Sequence, residues 1–517
     1  MMAGKEYVLA IDHGTSGVKT AVVSTYGEVI DFEYEKTPIH FLPNGGAEQD
    51  PNDWWNGIIK TSKRLLQKDV VPVEDIAAIC VSSTWSSTVA VDDEGVHLMN
   101  SLTWMDSRGA PYVKEAMRGF PSIAGYGLSN LLRWIPKTGG GPELSGKDDI
   151  AHILLTKYEY PDIYEKTHMF LGSKDYLNLR LTGKFAASYD SIMLFWVTDI
   201  RNVNDIHYDD KLIKRLKIDR SKLPPLKAST DVLGTVSKCV AEELGLNPDA
   251  KVVMGSPDHQ SACVGSGAVR DFEGHIYIGT SSWIECIVPF KKADALHSIA
   301  SLPTAIPGKY QCIDEQDIAG GALSFLVDIF RDNSKPLDTY KCLDEIAERV
   351  PAGSDKLIFT PWLNGERTPV DSTSLRAGLY NISKTTNSDH IVRAVFEGVA
   401  YNTRWALNYV EKFIGRKMNP INIVGGGAKS DVWCQIFADV MNREIRRVKN
   451  PMQANARGAA FIASVALGHI TFDDIPKLVR YSNVFHPNPE NRETYDGLFK
   501  EFLQIYKNNR AMYERLN

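Results

Sequence analysis

The stretch Asp12-His13-Gly14-Thr15-Ser16-Gly17-Val18-Lys19 joins two apolar runs, residues 7–11 and 18–24. Apolar runs on both sides of a short Gly-rich turn predict a strand, a turn and a second strand. Small turn residues leave backbone N–H groups open to an anion, hydroxyls can donate hydrogen bonds, and Asp12 ends the first strand. A phosphate with a hydrated magnesium ion could bind there. The alternative is an ordinary Gly-rich hairpin.

The same turn composition returns about half a chain length later. In Tyr277-Ile278-Gly279-Thr280-Ser281, the residues Gly-Thr-Ser again follow an apolar run. Two such turns suggest a duplicated domain whose copies face each other. They predict one domain over residues 1–253 and a second over residues 254–517. A chance match of three residues is the alternative.

Strands and helices alternate along the 517 residues. Residues 76–81, 88–91 and 421–424 are further β-branched runs, whereas residues 54–67 and 390–413 carry apolar side chains at helical spacing. Such alternation predicts an α/β architecture. The length is typical of two to four domains.

A third glycine turn, Gly425-Gly426-Gly427-Ala428-Lys429-Ser430, follows a strand and precedes a predicted helix over residues 431–441. Three glycines let a flat ring or a ribose lie against bare backbone. Taken alone the signal is weak, because strand-to-helix turns of this kind are common in α/β folds without a ligand.

Asp258 follows the apolar run 252–254, within Gly255-Ser256-Pro257-Asp258-His259-Gln260. A carboxylate at a strand end beside the expected domain boundary suits a general base. Equally, Asp258 could cap a helix that begins near Gln260.

Composition excludes several classes of protein. There are 58 basic and 64 acidic residues, a net charge of -6, so the basic surplus that nucleic-acid binding needs is absent. No window approaches about 18 uninterrupted apolar residues, and neither a signal peptide nor a membrane span is expected. The seven cysteines are scattered singly, as in a reduced cytoplasmic protein.

The segment 138–149 is rich in glycine and charge and predicts a surface loop. Its residues 141–148 have the spacing of a Walker A motif, but Asp148 stands where Ser or Thr must bind magnesium, and no strand precedes them. We therefore exclude a P-loop there.

Taken together, these segments resemble the FGGY family of carbohydrate kinases, over residues 7–468. Further stretches share the resemblance: Glu48-Gln-Asp50-Pro51, Trp104-Met-Asp106-Ser-Arg108, Lys174-Asp175-Tyr176-Leu177, Gly365-Glu366-Arg367-Thr368-Pro369, Arg393-Ala-Val-Phe-Glu397-Gly398 and Arg457-Gly458-Ala459-Ala460. The resemblance implies two actin-like (ribonuclease H-like) ATPase domains, with ATP and a sugar in the cleft between them. It also implies closure of the domains around both substrates.

The resemblance implies a role for each candidate residue. Asp258 would be the general base, and Asp12 would hold Mg²⁺ through water. The residues expected to bind ATP are Gly14, Thr15, Ser16, Lys19, Gly279, Thr280, Ser281, Gly425, Gly426, Gly427, Ala428 and Ser430. The residues expected to bind the sugar are Thr84, Trp85, Ser86, Asp106, Asp258 and His259. Trp85 could instead be a core residue.

The overall resemblance is strongest to xylulose kinases, so a pentulose such as xylulose is the expected acceptor. The sugar-contact segment departs from them, since Ser83-Thr84-Trp85-Ser86-Ser87 replaces Gly-Gln-Met-His-Gly. It lacks the Asn-Gln-Arg-Glu of glycerol kinases too, and His259 replaces the usual Asn or Gln. A kinase for glycerol or another polyol is one alternative. An actin- or chaperone-like ATPase without sugar transfer is the alternative of another class, and a homodimer is a candidate assembly.

Overall fold

A computed structural model of the chain describes residues 6–329 and 340–517. Strands of the first half are β1 (Tyr7–Gly14), β2 (Gly17–Ser24), β3 (Val29–Lys36), β4 (His40–Leu42), β5 (Gly46–Gln49), β6 (Ile76–Ser83), β7 (Thr88–Val91), β8 (Ser101–Leu102), β9 (Ser122–Ile123), β10 (Tyr126–Gly127), β11 (Met169–Gly172), β12 (Ala187–Ser188), β13 (Thr198–Asp199), β14 (His207–Tyr208), β15 (Leu226–Lys227), β16 (Val232–Thr235) and β17 (Lys251–Pro257). Its helices are α1 (Pro51–Leu66), α2 (Ala110–Met117), α3 (Leu128–Thr138), α4 (Asp149–Glu159), α5 (Pro161–Lys166), α6 (Ser173–Thr182), α7 (Asp210–Leu216), α8 (Lys238–Leu244) and α9 (Asp258–Ser266).

The second half continues with strands β18 (Gly274–Ile278), β19 (Ser282–Val288), β20 (Ala293–Asp294), β21 (Ile299–Pro303), β22 (Tyr310–Ile313), β23 (Ile358–Thr360), β24 (Gly378–Tyr380), β25 (Ile421–Val424), β26 (Ile445–Val448) and β27 (Tyr481–Phe485). Its helices are α10 (Gly320–Ile329), α11 (Tyr340–Arg349), α12 (Ser388–Ile414), α13 (Asp431–Met441), α14 (Ala454–Ala466), α15 (Ile475–Leu478) and α16 (Arg492–Leu516). In the ranges described, no helix is long and apolar enough to cross a membrane.

Each half is built on one large sheet, and the two sheets share a topology. The first has the order β16-β17-β6-β1-β2-β3 and the second the order β20-β21-β22-β19-β18-β25-β26-β27. In the first, β1 pairs antiparallel with β2 and parallel with β6. In the second, β18 pairs antiparallel with β19 and parallel with β25. The predicted duplication is therefore confirmed, and with it the α/β fold of two actin-like domains.

The central strands are apolar on both faces because helices cover both sides of each sheet. Along β1, Leu9 and Ile11 pack into a cluster with α1, whereas Val8 and Ala10 pack into another cluster with α14. Helix α14 follows β26 of the second sheet in the chain, yet it packs on the first sheet. The side chains of Val8 and Ala10 therefore form part of a buried apolar contact between the two halves.

Helices α9 and α14 cross between the sheets at backbone contact. A Cβ added at Gly265 would lie 1.8 Å from the carbonyl oxygen of Ala454, and one at Gly458 would lie 1.9 Å from that of Ser261. Only glycine allows this approach. The helix pair thus fixes how closely the two halves sit.

The strands and helices predicted from the sequence are present. The helix predicted over residues 54–67 is α1, which begins three residues earlier because Asp50 caps it by accepting a hydrogen bond from the Asn52 N–H. The helix predicted over residues 390–413 is α12, and that over residues 431–441 is α13.

Two segments differ from expectation. The domain boundary placed between residues 253 and 254 falls inside β17, whose residues 251–257 pair with β6 in the first sheet. We propose a boundary after α9 instead. Residues 139–148 of the segment 138–149 form a loop between α3 and α4, as predicted, but the loop is half-buried, and its Lys147 carbonyl accepts a hydrogen bond from Ser86.

Candidate active site

Three loops meet at one edge of the first sheet because their strands run parallel. Asp12 on β1 lies beside Ser82 on β6, and Ser82 lies beside Ser256 on β17. The chain leaves these strands at the turn 15–16, at the segment 84–87 and at Asp258. In open α/β sheets, ligands bind outside the carboxyl ends of the strands. The predicted phosphate, sugar and base residues of the first half therefore share one edge.

The first hairpin turn presents free backbone N–H groups. Gly14 pairs with Gly17, so Thr15 and Ser16 form the turn. Their carbonyls are engaged: Gln49 donates to that of Thr15 at 3.0 Å, and the Thr37 N–H donates to that of Ser16 at 3.2 Å. Within the described chain, no hydrogen bond uses the N–H of Thr15 or Ser16. This is the arrangement that a phosphate oxygen needs.

Asp12 is buried at the end of β1, and both of its carboxylate oxygens have partners. Lys19 Nζ donates to Oδ2 at 3.0 Å and Asn455 Nδ2 donates to Oδ1 at 3.2 Å. Lys19 also donates to the carbonyl of Met452 at 3.0 Å. Lys19 therefore neutralises Asp12 in this structure, and its ammonium lies beside the hairpin that is expected to bind phosphate.

The site suits a hydrated magnesium ion better than a directly bound one. Among the described residues, no three His, Cys, Asp or Glu side chains are grouped to hold a metal. Beside Asp12, however, the Oδ1 atom of Asn455 is buried without a hydrogen-bond partner. Magnesium keeps several of its waters and needs few carboxylates. An unpartnered amide oxygen next to a carboxylate is the kind of ligand set that could accept hydrogen bonds from the waters of such an ion.

The second hairpin repeats the first. The carbonyls of Gly279 and Thr280 accept hydrogen bonds of 2.8 Å from the N–H groups of Gly320 and Ala319. The N–H groups of Thr280 and Ser281 have no partner in the described chain. The start of α10 therefore holds this turn from behind and leaves its donors free.

The three glycines of the third turn have different roles. Gly425 has φ +91° and a Cβ there would lie 2.5 Å from the carbonyl of Ile278, while one at Gly427 would lie 2.3 Å from the Ile278 side chain. Both let the turn pack on β18. A Cβ at Gly426 would meet no atom of the described part of the chain within 4 Å, its chain neighbours aside. Only Gly426 thus borders open space that a flat ring could fill.

Ala428 and Ser430, which were predicted to bind ATP, hold the turn itself. Ala428 is buried. Ser430 caps α13 by accepting a hydrogen bond of 3.1 Å from the Trp433 N–H, and it donates one of 2.7 Å to Asp344. Neither leaves a polar side-chain group free for a nucleotide.

Asp258 is the first residue of α9, two residues before the helix start that the sequence predicted. Its Oδ1 accepts a hydrogen bond of 3.0 Å from the His259 N–H, and Oδ2 makes none to the described residues. Burial, with the charges of Glu315 and Asp12, outweighs the opposing charge of His259 and raises the pKa of Asp258 to about 6. A half-buried carboxylate with one free oxygen and this pKa is suited to accept a proton near neutral pH.

The sugar-contact segment turns sharply at the end of β6. Ser86 has φ +56° and its Oγ donates to the Lys147 carbonyl at 2.7 Å. Trp85 is half-buried, its Nε1 donates to the Ser191 carbonyl at 3.2 Å, and its ring lies 5.8 Å from that of His259. Thr84 is hydrogen-bonded to Ser87 at 3.3 Å. Thr84, Trp85 and Ser86, with Asp149 and Pro257, line a small cavity.

Asp106, which was predicted to bind the sugar, uses its carboxylate within the protein. Its carboxylate is fully buried and accepts hydrogen bonds from the Ala47 N–H and from Arg108. No oxygen is left for a sugar hydroxyl, because Asp106 holds Arg108 instead.

Sequence reasoning missed the neighbour of Asp106 that does reach the site. Trp104 is half-buried and donates from Nε1 to Thr15 Oγ1 at 2.9 Å, which joins it to the first hairpin. The guanidinium of Arg367 lies 5.9 Å from its ring centroid. The signal was present in the stretch Trp104-Met-Asp106-Ser-Arg108, since a tryptophan beside charged residues offers an apolar face with a polar edge.

Two family models match the two halves of the chain. The model of the N-terminal domain of the FGGY family of carbohydrate kinases matches residues 7–128 and 150–265, and that of the C-terminal domain matches residues 274–467. The first match omits residues 129–149, which include the loop between α3 and α4. A xylulose kinase of Staphylococcus epidermidis is 28% identical, over 98% of each chain.

Two solved structures have the same fold over nearly the whole chain. A gluconate kinase from Lactobacillus acidophilus superposes with a TM-score of 0.86 at 26% identity, covering 99% of this chain and 100% of that one. A xylulose kinase from the same organism has a TM-score of 0.85, the same identity and the same coverage. Because the two family models together match most of the sequence, this chain belongs to the FGGY family of carbohydrate kinases.

Proposed function

We propose that the protein transfers the γ-phosphate of MgATP to a hydroxyl of a small sugar, a pentulose such as xylulose, with Asp258 as the general base. The observation that carries the proposal concerns Asp258 and the two hairpins: no described residue forms a hydrogen bond with Oδ2 of Asp258 or with the N–H donors of the hairpin turns. The S. epidermidis xylulose kinase at 28% identity supports the pentulose. A protein that consumes ATP and sugar in this way would work in the cytoplasm.

Asp258 would accept the proton of the attacking hydroxyl. A sugar hydroxyl is a weak nucleophile near neutral pH, and a positioned base contributes about 10²- to 10⁴-fold in rate. A base with a pKa of about 6 is ionised at neutral pH and still binds a proton. The free Oδ2 would hold the hydroxyl during attack.

The two hairpins would bind the phosphate chain of ATP from opposite domains. Free N–H groups at Thr15, Ser16, Thr280 and Ser281 would stabilise the charge that spreads over the transferred phosphoryl oxygens. A bound magnesium ion would neutralise part of the same charge, and Asp12 with Asn455 would hold its waters. Lys19, released from Asp12, would add a positive charge.

A sugar acid is the second candidate acceptor. The gluconate kinase of L. acidophilus matches the fold as well as the xylulose kinase does. The ATPase alternative has less support, because an assembly or chaperone switch needs no sugar-binding segment and the family models cover both halves.

The test is an acceptor screen at saturating MgATP, with ATP consumption and product mass both measured. Pentuloses, gluconate, glycerol and other polyols form the panel. The proposal expects a pentulose to stimulate ATP consumption most and to gain the mass of one phosphate. If gluconate gave the highest kcat/KM, the acceptor would be a sugar acid. ATP consumption that no acceptor stimulates would reject the kinase assignment.

A further inference from the structure

His259, the residue that follows Asp258 in the chain, forms a buried ion pair with Glu285. His259 Nδ1 and Glu285 Oε1 are 2.7 Å apart, and the two side chains are 7% and 0% exposed. The other carboxylate oxygen of Glu285 accepts a hydrogen bond of 2.7 Å from Gln311 Nε2. Gln311 also donates to the His259 carbonyl at 3.3 Å. Glu285 and Gln311 therefore fix both the ring and the backbone of His259.

Aromatic rings set the orientation of the imidazole. The His259 ring stacks on Trp283 with a centroid distance of 4.0 Å and an interplanar angle of 18°, and Trp283 stacks on Tyr277 at 4.1 Å. Trp85, from the sugar-contact segment, lies near the same ring at 5.8 Å. Since Nδ1 faces Glu285, only Nε2 remains, and it has no hydrogen-bond partner in the described ranges.

The surroundings keep His259 protonated. Burial alone would lower the pKa of His259, but Glu285, with smaller contributions from Asp258 and Glu315, raises it to about 9. Burial lowers the pKa of the neighbouring His275 to about 3, so that ring is neutral. Burial also raises the pKa of Asp314 well above its usual range, so Asp314 adds little charge. A protonated imidazole is a charge-assisted donor, which is stronger than a neutral one.

The sugar-contact segment itself lacks an equivalent donor. The Oγ of Ser86 is used on the Lys147 carbonyl, and the Nε1 of Trp85 on the Ser191 carbonyl. We propose that Glu285 is a positioning residue that holds His259 as a charged donor, and that His259 Nε2–H binds an oxygen of the acceptor next to the hydroxyl that reacts. This inference rests on the proposed function. It makes the His259–Glu285 pair a determinant of acceptor specificity.

Glu285→Gln tests the inference because it keeps the size of the side chain and removes its charge. The kcat/KM for the acceptor should fall about 10- to 100-fold at pH 7.5, mainly through KM, while KM for ATP stays unchanged. In the wild type, kcat/KM should fall as pH rises through about 9, and in Glu285→Gln this fall should begin at lower pH. Glu397→Gln is the matched control, since Glu397 is equally buried and paired with a cation, Arg393, away from the site.

A double-mutant cycle separates positioning from a merely structural effect. His259→Gln should abolish the basic limb of the profile, and Glu285→Gln should cost nothing further in that background. Independent multiplication of the two effects, or a Glu285→Gln profile that superimposes on the wild type, would overturn the inference. Should Glu285→Gln fail to fold, a basic limb unchanged in His259→Gln would overturn it as well.

A titration of the enzyme without substrates distinguishes failure of the inference about His259 and Glu285 from failure of the proposed function. Protonated imidazole quenches tryptophan fluorescence, and two tryptophans contact His259. The wild type should show a fluorescence change centred near pH 9 that His259→Gln lacks and Glu285→Gln moves to lower pH. If no acceptor stimulated ATP use, the proposed function and the sugar contact would both be rejected. An absent fluorescence transition would reject the His259–Glu285 pair itself.

Discussion

Asn455 on α14 donates a hydrogen bond of 3.2 Å to Asp12 on β1, which joins a helix of the second half to the first strand of the chain. The same carboxylate accepts a hydrogen bond from Lys19. Asp12 is thus held by residues of both halves of the molecule.

Replacement of Asp12 by Asn tests its role toward magnesium. The variant keeps the shape of the side chain but loses the charge that attracts metal-bound water, so the magnesium concentration for half-maximal rate should rise and kcat should fall about 10- to 100-fold. Magnesium titrations of both proteins at saturating ATP and sugar provide the measurement. Superimposed titrations with equal maximal rates would remove Asp12 from the metal site.

The acid limb of the pH profile should report Asp258. Burial and nearby carboxylates raise its pKa to about 6, so the base is ionised above this pH and protonated below it. The kcat/KM for the sugar should therefore fall about tenfold per pH unit as pH drops below about 6. Steady-state rates between pH 5 and 8 at saturating MgATP measure this limb. If the residual activity of Asp258→Asn fell in the same way below about pH 6, the acid limb would arise from a group other than Asp258.

We expect the nucleotide to occupy the open space next to Gly426. Gly426→Leu should raise KM for ATP at least about tenfold and change the free energy of unfolding by less than about 0.5 kcal/mol, because no residue of the described ranges lies within 4 Å of the new Cβ, apart from its chain neighbours. Gly427→Leu is the contrasting variant, since its Cβ would meet Ile278 and destabilise the fold. Steady-state kinetics measure KM for ATP in both variants, and urea unfolding measures their free energy of unfolding. If Gly426→Leu and the wild type bound ATP equally well, the adenine ring of ATP would have to bind elsewhere.

The contact of α9 with α14 should be intolerant of a single methyl group. Gly265→Ala should lower the free energy of unfolding by at least about 2 kcal/mol, since its Cβ would lie 1.8 Å from the Ala454 carbonyl oxygen. Gly497→Ala, on the exposed side of α16, is the control and should be neutral or stabilising by up to about 1 kcal/mol. Thermal unfolding of the two variants compares them. Equal midpoints would mean that the helices separate without cost.

The sequence was sufficient for the fold because its signals are local. The apolar runs around Asp12 and around Gly279 predict strands by themselves, and Asp50 marks the start of α1. The repeated Gly-Thr-Ser turn predicted the duplication from three residues. The resemblance to carbohydrate kinases then joined segments that lie far apart in the chain.

The parts of the site that were missed depend on contacts between distant segments. Nothing near Asp106 in the sequence indicates that its carboxylate is used by Ala47, and nothing near Glu285 indicates that it faces His259. Likewise, the domain boundary was set inside β17 because the pairing of that strand with β6 is not visible in its own residues. Local sequence patterns predict strands and turns, whereas the hydrogen-bond and strand-pairing partners of a residue depend on how distant segments are arranged in the fold.

The most direct measurement of the central claim is the sugar-dependent rate of Asp258→Asn with MgATP. The substitution keeps size and hydrogen bonding but removes the proton acceptor, while both hairpins remain. The account predicts that kcat for the preferred sugar falls at least about a hundredfold and that MgATP affinity changes little. A variant with near-wild-type kcat would contradict Asp258 as the base, and loss of MgATP binding would assign Asp258 a structural role at the start of α9.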